Sequence, residues 1–231
     1  MTKSNNLIYG AIANEIINMK LKPGEKISEV EFSHKFHVSR TPIRDVFKCL
    51  EDNNLLEIHS QSGTFVTKID MGSILDLVYV RNCCEYNVLS EISGKLTQKD
   101  IDYLYSNLAQ QQEISSSISH VEYASKYFFL DNVFHMYLYE LANKAGVLEL
   151  LNSDQPNFQR YRFMTFYRED AELKKLNDIH INMVKALIDD DKEKLKEIVY
   201  EHNYSGLNGI DKVVKNHEEY FKNIKTIELR G

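Results

Sequence analysis

The stretch SEVEFSHKFHVSRTPIRDVFKCLEDN, residues 28–53, decides the fold of the N-terminal part of the chain. Ser28 is a residue type that favours the N-cap of a helix, and a short helical run follows it. After a tight connection at residues 37–38, a second helix begins near Ser39. Pro42 is tolerated in its first turn because backbone N–H groups there have no helical partner. Two short helices joined in this way are typical of a helix-turn-helix.

The flanking sequence predicts the rest of a winged helix-turn-helix. Upstream, apolar residues recur at helical spacing between positions 7 and 19, and Lys-Pro-Gly at 22–24 ends that helix. Downstream, apolar residues recur with a period of two on both sides of a polar turn at 60–63: Leu56, Ile58 and Phe65. Their side chains either lie on one face or pair across the turn. Three helices followed by a hairpin therefore predict one domain over residues 1–69.

The helix that follows the tight connection carries a basic ridge. Arg40, Arg44 and Lys48 follow one another at four-residue spacing, on a different side from the apolar residues. The apolar side predicts a small core made of Ile43, Val46, Phe47 and Leu50. A basic helix face of this kind favours entry into the major groove of double-stranded DNA.

Arg44 is the candidate for contacts with base edges, since an arginine can donate two hydrogen bonds to guanine. Other polar and basic residues are candidates for phosphate contacts, with help from the helix N-terminus: Ser39, Arg40, Thr41 and Lys48. The alternative is a solvated helix face on which Arg44 pairs with Glu51 or Asp45.

The hairpin tip is a second candidate DNA contact. Gly63 allows the chain to turn, and the polar side chains of Ser60 and Gln61 could reach sugar or base edges. An ordinary solvent-exposed turn is the alternative at each of these positions.

The segments Glu29 to Ser33 and Val38 to Val46, read as EVEFS and VSRTPIRDV, resemble the signature of the GntR family of regulators. The resemblance implies operator binding as a symmetric homodimer, with Arg40 and Arg44 at the positions of the family's DNA-contacting arginines and the wing tip at the minor groove. Two residues depart from the usual pattern. His37 stands where a glycine is usual, and Phe47 where a small residue or a leucine often is.

Composition limits the other classes of protein. The 231 residues, 43% of them hydrophobic, suffice for one large domain or two modest ones with a real core. Three cysteines, two of them adjacent, predict neither a disulfide framework nor a spaced thiolate zinc motif. The N-terminus lacks the apolar core of a secretion signal, and no stretch approaches the roughly 20 apolar residues that span a bilayer. We therefore expect a cytoplasmic protein without a membrane partner.

The charge is unevenly distributed. The chain carries a net charge of −6, which by itself argues weakly against binding to a phosphate backbone. Residues 1–70 contain nine basic and nine acidic residues, so the other 19 basic and 25 acidic residues leave the acidity in the C-terminal part. Contacts with DNA are therefore expected from the local basic ridge rather than from the overall charge.

From residue 70 to residue 231, helical periodicity predicts an all-α helical bundle that forms the second domain. No strand is needed to account for this part of the sequence, so the expected class is mainly α, with a winged helix-turn-helix at the N-terminus. The predicted helices span 71–94, 97–115, 119–143, 145–167, 170–189 and 191–206, with a last stretch to about 227.

Four inward-facing polar residues in three of these helices predict a metal site. Asp131 and His135 lie one turn apart on the stripe that should face the core, and His180 and His202 each lie on the apolar face of a later helix. Nitrogen and carboxylate ligands suit a divalent cation, with zinc preferred and nickel or manganese as alternatives. A single buried histidine is more often a core residue, so spacing alone leaves both interpretations open.

The segments FLDNVFH at 129–135, LNDIH at 176–180 and VYEH at 199–202 are similar to the FCD domain of the FadR subfamily of GntR regulators. This resemblance implies a metal held by an aspartate and three histidines, which match the four residues just named. It also implies a pocket for a small carboxylate-bearing effector.

Two residues are candidates for that effector pocket. Arg81 resembles a pocket-lining arginine of the family and could pair with the effector carboxylate as a two-pronged donor. Asn143 is the other candidate. Arg160 and Arg162 are weaker ones, with an inter-helix ion pair as the alternative.

These patterns predict a DNA-binding transcriptional regulator, not an enzyme, whose operator affinity is controlled by a small organic acid at the metal site. One alternative is a metal sensor, in which the ion itself is the signal. Another is a structural metal that clamps three helices. The less favoured alternative is a metal-dependent enzyme with a DNA-binding head, because no general base, such as the glutamate of a His-Glu-x-x-His helix, lies beside the ligands.

Overall fold

The computed structural model describes residues 3–114, 120–152, 156–166, 170–208 and 210–225. Its helices and strands are α1 (Lys3–Ile17), β1 (Lys26–Ile27), α2 (Glu29–Phe36), α3 (Arg40–Asp52), β2 (Leu56–His59), β3 (Gly63–Val66), β4 (Ile69–Asp70), α4 (Met71–Ile92), α5 (Gln98–Ile114), α6 (His120–Leu141), α7 (Ala145–Asn152), α8 (Pro156–Phe166), α9 (Asp170–Ile188), α10 (Lys192–Ser205), α11 (Ile210–Asn216), a 3₁₀ turn (Glu218–Tyr220) and β5 (Phe221–Lys222). The mainly α class with an N-terminal winged helix-turn-helix is confirmed.

The described residues cluster into two compact units. The first unit contains residues 3–74, 156–163 and 211–225, and the remaining described residues form the second unit. The first unit therefore draws on three separated stretches of the chain, a feature that no local pattern in the sequence indicates.

The first unit contains an antiparallel sheet ordered β1-β3-β2. The hairpin register pairs Leu56 with Val66 and Glu57 with Phe65. Leu56 and Val66 are buried, whereas Ile58 is 38% exposed and Phe65, opposite Glu57, lies on the other face of the hairpin. The third strand, β1, was not predicted, because two residues are too few to show a period.

The core of the first unit lies between α1, α2, α3 and the sheet. The predicted apolar side of α3 is confirmed as core, since Ile43, Val46, Phe47 and Leu50 are all buried. Phe47 meets Phe32 of α2 in an edge-to-face contact, with ring centroids 5.7 Å apart. Burial of each such side chain contributes about 1.5–3 kcal/mol to the stability of the fold. The apolar face therefore fixes how α3 packs against the rest of the unit.

The turn between α2 and α3 explains the residue at position 37. His37 adopts a left-handed conformation with φ of 55°, and its N–H and that of Val38 reach back to carbonyl groups of the last turn of α2. A glycine would adopt this φ without steric cost, and histidine is among the residues that tolerate it. The departure from the usual family pattern therefore leaves the turn geometry intact.

The second unit has a continuous apolar core shared by α4, α5, α6, α7, α9 and α10. One predicted helix, 145–167, is wrong: the chain forms α7 up to Asn152 and begins α8 at Pro156. Proline is favoured in the first turn of a helix but cannot donate the hydrogen bond that continues one, so a new helix begins there.

The expectation that no strand follows residue 70 is also wrong. In the first unit, β4 and β5 pair in parallel, with Ile69 opposite Phe221 and Asp70 opposite Lys222. Phe221 and Ile69 are both buried. A pairing between residues about 150 positions apart leaves no periodic signal in either segment.

None of the helices within the described ranges is both long and apolar enough to cross a lipid bilayer.

Candidate nucleic-acid interface and metal centre

The basic ridge of α3 lies on the surface of the first unit. The three residues of the ridge and the two other candidate DNA-contacting residues at the start of α3 are all exposed: Arg40, Arg44 and Lys48, and Ser39 and Thr41. Ser39 is the N-cap of α3 in extended conformation, and its side chain makes no capping hydrogen bond. The hydroxyl of Ser39 and the first N–H groups of α3 can therefore offer donors to an anion.

Two arginines of the ridge share one carboxylate from the neighbouring helix. Glu29, in the first turn of α2, accepts hydrogen bonds from Arg44 Nε at 3.1 Å and Arg44 Nη2 at 3.2 Å, and from Arg40 Nη2 at 3.3 Å. The hydrogen bond from Arg44 is the main reason that the pKa of Glu29 lies below its usual range. Both arginine side chains remain more than half exposed, at 60% and 56%.

The alternative interpretation, in which Arg44 pairs with Glu51 or Asp45 of its own helix, does not describe its hydrogen bonds. Its partner is Glu29 rather than Glu51, and Glu51 instead accepts the N–H of Ile58 at the base of the wing. Asp45 contributes only a minor electrostatic interaction with Arg44. Spacing within one helix cannot show this pairing, because the turn at residues 37–39 brings the start of α2 beside α3.

The wing tip is formed by exposed polar residues followed by Gly63. Ser60 and Gln61 are exposed, and Gly63 has φ of 111°, a conformation that L residues rarely adopt. A Cβ at position 63 would lie 2.7 Å from Cε of Lys26, which crosses from β1 to the wing. Lys26 also lies over the ring of Phe65, with Nζ 5.8 Å from the centroid. Sequence analysis missed Lys26, because β1 itself was not predicted.

In the second unit, three helices bring the four candidate metal ligands together. Helix α6 supplies Asp131 and His135, α9 supplies His180 and α10 supplies His202. His180 Nε2 lies 3.0 Å from His202 Nε2 and 3.6 Å from Asp131 Oδ1, and Asp131 Oδ1 lies 3.8 Å from His135 Nε2. The ligand atoms of the three histidines all lie within 4.8 Å of one another.

Burial differs between the four side chains. His180 is fully buried and Asp131 is 3% exposed, whereas His135 and His202 are each 13% exposed. The ring of His180 stacks on Phe134, with centroids 4.8 Å apart. The cluster is therefore closed on the side of α9 and partly open on the side of His135 and His202.

A fifth residue of the cluster, Glu85 of α4, was not among the predicted ligands. Its Oε1 lies 3.0 Å from His135 Nδ1 and its Oε2 lies 3.0 Å from His202 Nδ1. The sequence did contain a signal for it: Glu85 falls in the apolar stripe of α4 that includes Val78, Val88 and Leu89. The same argument that singled out Asp131, a costly carboxylate on a buried face, applies to Glu85.

The protonation of the cluster follows from burial and from the neighbouring charges. Burial alone would raise the pKa of Glu85, but the imidazoles of His202 and His135 more than offset it and hold that pKa well below its usual range. Burial lowers the pKa of His180 well below its usual range, and His202 adds to the effect. A neutral His180 is the form that can donate a lone pair to a metal ion.

The donor set fits a divalent cation. A tetrahedral zinc ion with ligand bonds of about 2.0–2.1 Å places neighbouring ligand atoms about 3.4 Å apart. The separations of 3.0, 3.6 and 3.8 Å between the inward-facing atoms bracket that value. Two buried carboxylates beside a neutral His180 also give the site the negative charge that a divalent ion would neutralise.

The two effector-pocket candidates occupy different positions. Arg81 lies one turn before Glu85 on α4, and its Nη2 donates hydrogen bonds to Asn152 Oδ1 at 2.8 Å and to the carbonyl of Leu151 at 3.3 Å. Asn143 lies just past the end of α6, is exposed, and has φ of 56°. Asparagine tolerates this left-handed conformation, so the end of α6 accounts for the residue type.

The two weaker arginine candidates lie elsewhere. Arg160 belongs to the first unit, where it is fully buried and donates hydrogen bonds to the carbonyl and hydroxyl of Thr67. Arg162 lies near the ring of Phe158, with its guanidinium carbon 5.8 Å from the ring centroid. Arg160 is therefore a structural residue of the DNA-binding unit.

Comparison with known families finds two matches. The model for "Bacterial regulatory proteins, gntR family" matches residues 5–66, and that for "FCD domain" matches residues 76–205. The first match covers α1, the α2–α3 pair and the wing, and the second covers all the candidate metal ligands.

Curated relatives are similar along most of their length. The HTH-type transcriptional repressor RspR of Escherichia coli is 27% identical over 198 residues, which cover 86% of this chain and 85% of that protein. The Nta operon transcriptional regulator of Aminobacter aminovorans is 26% identical over 187 residues, covering 80% of this chain and 84% of that protein.

Solved structures share the fold. McbR/YncC of E. coli matches with a TM-score of 0.64 and 17% identity, covering 94% of this chain and all of that one. A putative GntR regulator from Rhodococcus sp. RHA1 also has a TM-score of 0.64, with 20% identity and coverage of 90% and 99%. The family matches and the curated relatives show that the chain belongs to the GntR family of bacterial regulatory proteins, as a DNA-binding transcriptional regulator with an FCD domain rather than an enzyme.

Proposed function

We propose that a divalent metal ion and a small carboxylate-bearing effector, both bound in the second unit, control the affinity of a homodimer for operator DNA. The observation that carries this proposal is the convergence of four ligand-type atoms from three helices: three of the pairs are 3.0, 3.6 and 3.8 Å apart, and the three histidine atoms lie within 4.8 Å of one another. Zinc is the preferred ion, because histidine nitrogens and one carboxylate are its usual protein ligands, and nickel and manganese are alternatives. The bound ion would supply a positive centre, and with four protein ligands it would take up water or a carboxylate oxygen only by expanding beyond four-coordination.

Arg81 is the proposed second anchor of the effector. It lies one turn from Glu85 on the same face of α4 and is partly buried. Two of its hydrogen bonds go to Asn152 Oδ1 and the Leu151 carbonyl, and a carboxylate accepts from a guanidinium more strongly than these neutral oxygens do. Asn143 is a weaker proposal, since its position at the end of α6 already explains it.

The partly open side of the cluster favours effector binding over a purely structural metal. His135 and His202 keep 13% of their side-chain surface exposed, whereas a closed structural site would have no route for a ligand. For an effector to alter DNA binding, it has to bind two arrangements of the dimer with unequal affinity.

On the DNA side, Arg44 is proposed to read base edges, while Ser39, Arg40, Thr41 and Lys48 hold phosphates. The wing-tip residues Ser60, Gln61 and Gly63 are proposed to reach the minor groove. In a homodimer the two α3 helices would enter successive major grooves, about 34–36 Å apart on one side of the operator.

The test of the DNA half compares Arg44→Ala with Lys48→Ala in salt-matched operator titrations. We expect Arg44→Ala to lose about 1–3 kcal/mol of operator affinity and to relax the preference for one base pair, because a bidentate contact is lost. Lys48→Ala should weaken binding to all sequences alike and reduce the salt slope by about one. Unchanged operator binding by Arg44→Ala would contradict the proposed base reader.

The test of the metal half compares the metal content of the purified protein with that of His180→Ala. His34→Ala, an exposed histidine of α2, is the matched control. We expect about one divalent ion per chain in the parent protein and in His34→Ala, and loss of that ion in His180→Ala. Organic acids are then added to the metal-loaded protein during operator titration, and an acid that shifts operator affinity supports effector control.

The same titrations distinguish effector control from the alternative in which the protein senses the metal ion itself. If removal and return of the ion alone change operator affinity, and no acid does, the ion itself is the signal. If the parent protein and His180→Ala contain the same amount of metal, the four residues are not the ligands and the metal proposal is wrong.

A further inference from the structure

The buried carboxylate of Glu85 makes three contacts with side chains of the metal cluster and its supporting helix. Only 4% of the residue is exposed. One carboxylate oxygen faces Nδ1 of His135 at 3.0 Å. The other faces Nδ1 of His202 at 3.0 Å and accepts a hydrogen bond from Nδ2 of Asn203 at 2.5 Å. Asn203 also donates to the carbonyl of Val199, one turn earlier on α10, so Asn203 is itself held in place.

These contacts determine which ring nitrogens carry protons. An ionised carboxylate only accepts hydrogen bonds, so Nδ1 of His135 and Nδ1 of His202 are both the protonated nitrogens. In the neutral imidazoles, Nε2 then carries the lone pair. Nε2 is the nitrogen that each ring presents to the inside of the cluster, where His180 Nε2 and Asp131 Oδ1 also lie.

The two carboxylates of the cluster therefore have different places. Asp131 lies on the inner side, with Oδ1 3.8 Å from His135 Nε2 and 3.6 Å from His180 Nε2, beyond a direct hydrogen bond but suited to a shared ion. Glu85 lies on the outer side, in direct hydrogen-bond contact with two Nδ1 atoms. This arrangement, a carboxylate behind a histidine ligand, fixes ring orientation and raises ligand basicity.

We propose that Glu85 is the positioning residue of the metal centre, a single carboxylate that fixes the tautomer and the ring orientation of both His135 and His202. This inference rests on the proposed metal site. Because His135 belongs to α6 and His202 to α10, Glu85 sets the distance between two ligands that no local structure relates. Removing its charge leaves both rings free to turn or to change tautomer.

The first experiment measures the tautomers directly in the metal-free protein. Side-chain ¹H–¹⁵N correlation spectra at neutral pH distinguish a protonated Nδ1 from a protonated Nε2, and His135→Gln and His202→Gln assign the signals. We expect both histidines in the Nδ1-protonated form. Either ring with a protonated Nε2 and a bare Nδ1 would overturn the inference without any variant of Glu85.

The second experiment titrates the full-length metal-free protein with Co²⁺, whose visible spectrum reports ligand number and geometry. Glu85→Gln is compared with Glu91→Gln, the same chemical change on the same helix at an exposed residue that pairs with Lys144. The glutamine amide can accept from one imidazole only, so we expect about 10- to 100-fold weaker binding and an altered spectrum. Glu91→Gln should match the parent protein.

The outcomes separate this inference from the proposed function. If the parent protein binds Co²⁺ and Glu85→Gln binds it equally tightly with an identical spectrum, the positioning role is wrong and the metal site stands. If the parent protein binds no Co²⁺, the metal site itself is wrong, and the inference fails with it. Weaker binding with an altered spectrum in Glu85→Gln alone supports both.

Discussion

At the scale of single residues, Glu29 belongs to the proposed DNA-binding surface together with the arginines that it contacts. Its carboxylate accepts two hydrogen bonds from Arg44 and one from Arg40, all between 3.1 and 3.3 Å. Holding one edge of the Arg44 guanidinium limits its rotamers and leaves the other edge for the proposed contact with a base. The same carboxylate also acts as an internal counter-ion that reduces the attraction of the ridge for phosphate.

Glu29→Gln should therefore change specificity more than affinity. Loss of the charge leaves Arg40 and Arg44 uncompensated, so binding to random DNA should tighten and its salt dependence should steepen by about one charge. Because Arg44 loses its fixed orientation, the ratio of operator to random-DNA affinity should fall about tenfold, or about 1.4 kcal/mol. Fluorescence anisotropy with both DNA sequences over a salt series measures the two effects.

Glu31→Gln is the control for this change, since Glu31 is exposed in the same first turn of α2. If Glu29→Gln and Glu31→Gln had the same effect on both DNA sequences, the charge of α2 alone would explain the result and the orienting role of Glu29 would be refuted.

At the scale of secondary structure, α8 contributes a buried cation to the DNA-binding unit. The Arg160 side chain donates to the Thr67 carbonyl at 2.6 Å, to the Thr67 hydroxyl at 3.0 Å and to Asn157 Oδ1 at 2.6 Å. Burial lowers the pKa of Arg160 to about 10, so the group is still charged at neutral pH. Thr67 is the first residue after the wing strand β3, and its hydroxyl in turn donates to the Asn54 carbonyl. Arg160 thus fixes the point at which the chain leaves the wing.

Arg160→Met should destabilise the wing region by about 1–3 kcal/mol, because the acceptors on Thr67 and Asn157 remain buried without their donor. The measurement is amide hydrogen exchange of the hairpin and of residues 67–70, with exchange in α9 as an internal reference. Arg162→Met is the matched control, since Arg162 is partly exposed on the same helix and its loss should cost less than about 1 kcal/mol. Equal exchange in the two variants would contradict a structural role for Arg160.

The fold elements show what local sequence does and does not encode. The apolar face of α3 and the inward faces of α6, α9 and α10 were predicted correctly, because each repeats with the period of a helix over several turns. That periodicity is also what selected Asp131, His135, His180 and His202. The roles of Glu29 and Arg160 were not predicted, since each acts on residues of another helix or loop, and no spacing within one element encodes such a contact. Glu85 could have been selected from its place in the apolar stripe of α4, but its contacts with His135 and His202 could not. The pairing of β4 with β5 was not predicted either, because it joins distant parts of the chain and each strand contains only two residues.

At the scale of the whole molecule, the C-terminal segment is part of the first unit. Phe221 of β5 is 3% exposed and pairs with Ile69, while Asn223 Nδ2 donates to Asp70 at 2.9 Å. Residues 211–225 therefore complete the unit that carries the basic ridge, although more than 130 residues separate them from the end of that unit's first stretch at position 74. The first unit thus combines residues that lie far apart in the sequence.

Phe221→Ala should destabilise the first unit by about 3 kcal/mol, since a large buried side chain is removed. Lys222→Ala, at the adjacent exposed position, should have little effect. Hydrogen exchange of the full chain measures both variants, and faster exchange is expected at residues 69–74 while α9 stays protected. If Phe221→Ala left exchange at residues 69–74 unchanged, the C-terminal segment would not be an integral part of the unit.

The discontinuous make-up of the first unit has a consequence for the order of events during translation. Helices α1 to α3 and the wing leave the ribosome first, and Arg160 and Phe221 follow only much later. The DNA-reading head can thus collapse early, yet it reaches its full set of buried partners only once residues 211–225 have been made. A polypeptide released before that point would contain α3 but lack the buried contacts of Arg160 and Phe221. Proteases and chaperones would therefore act on it before it could compete for the operator.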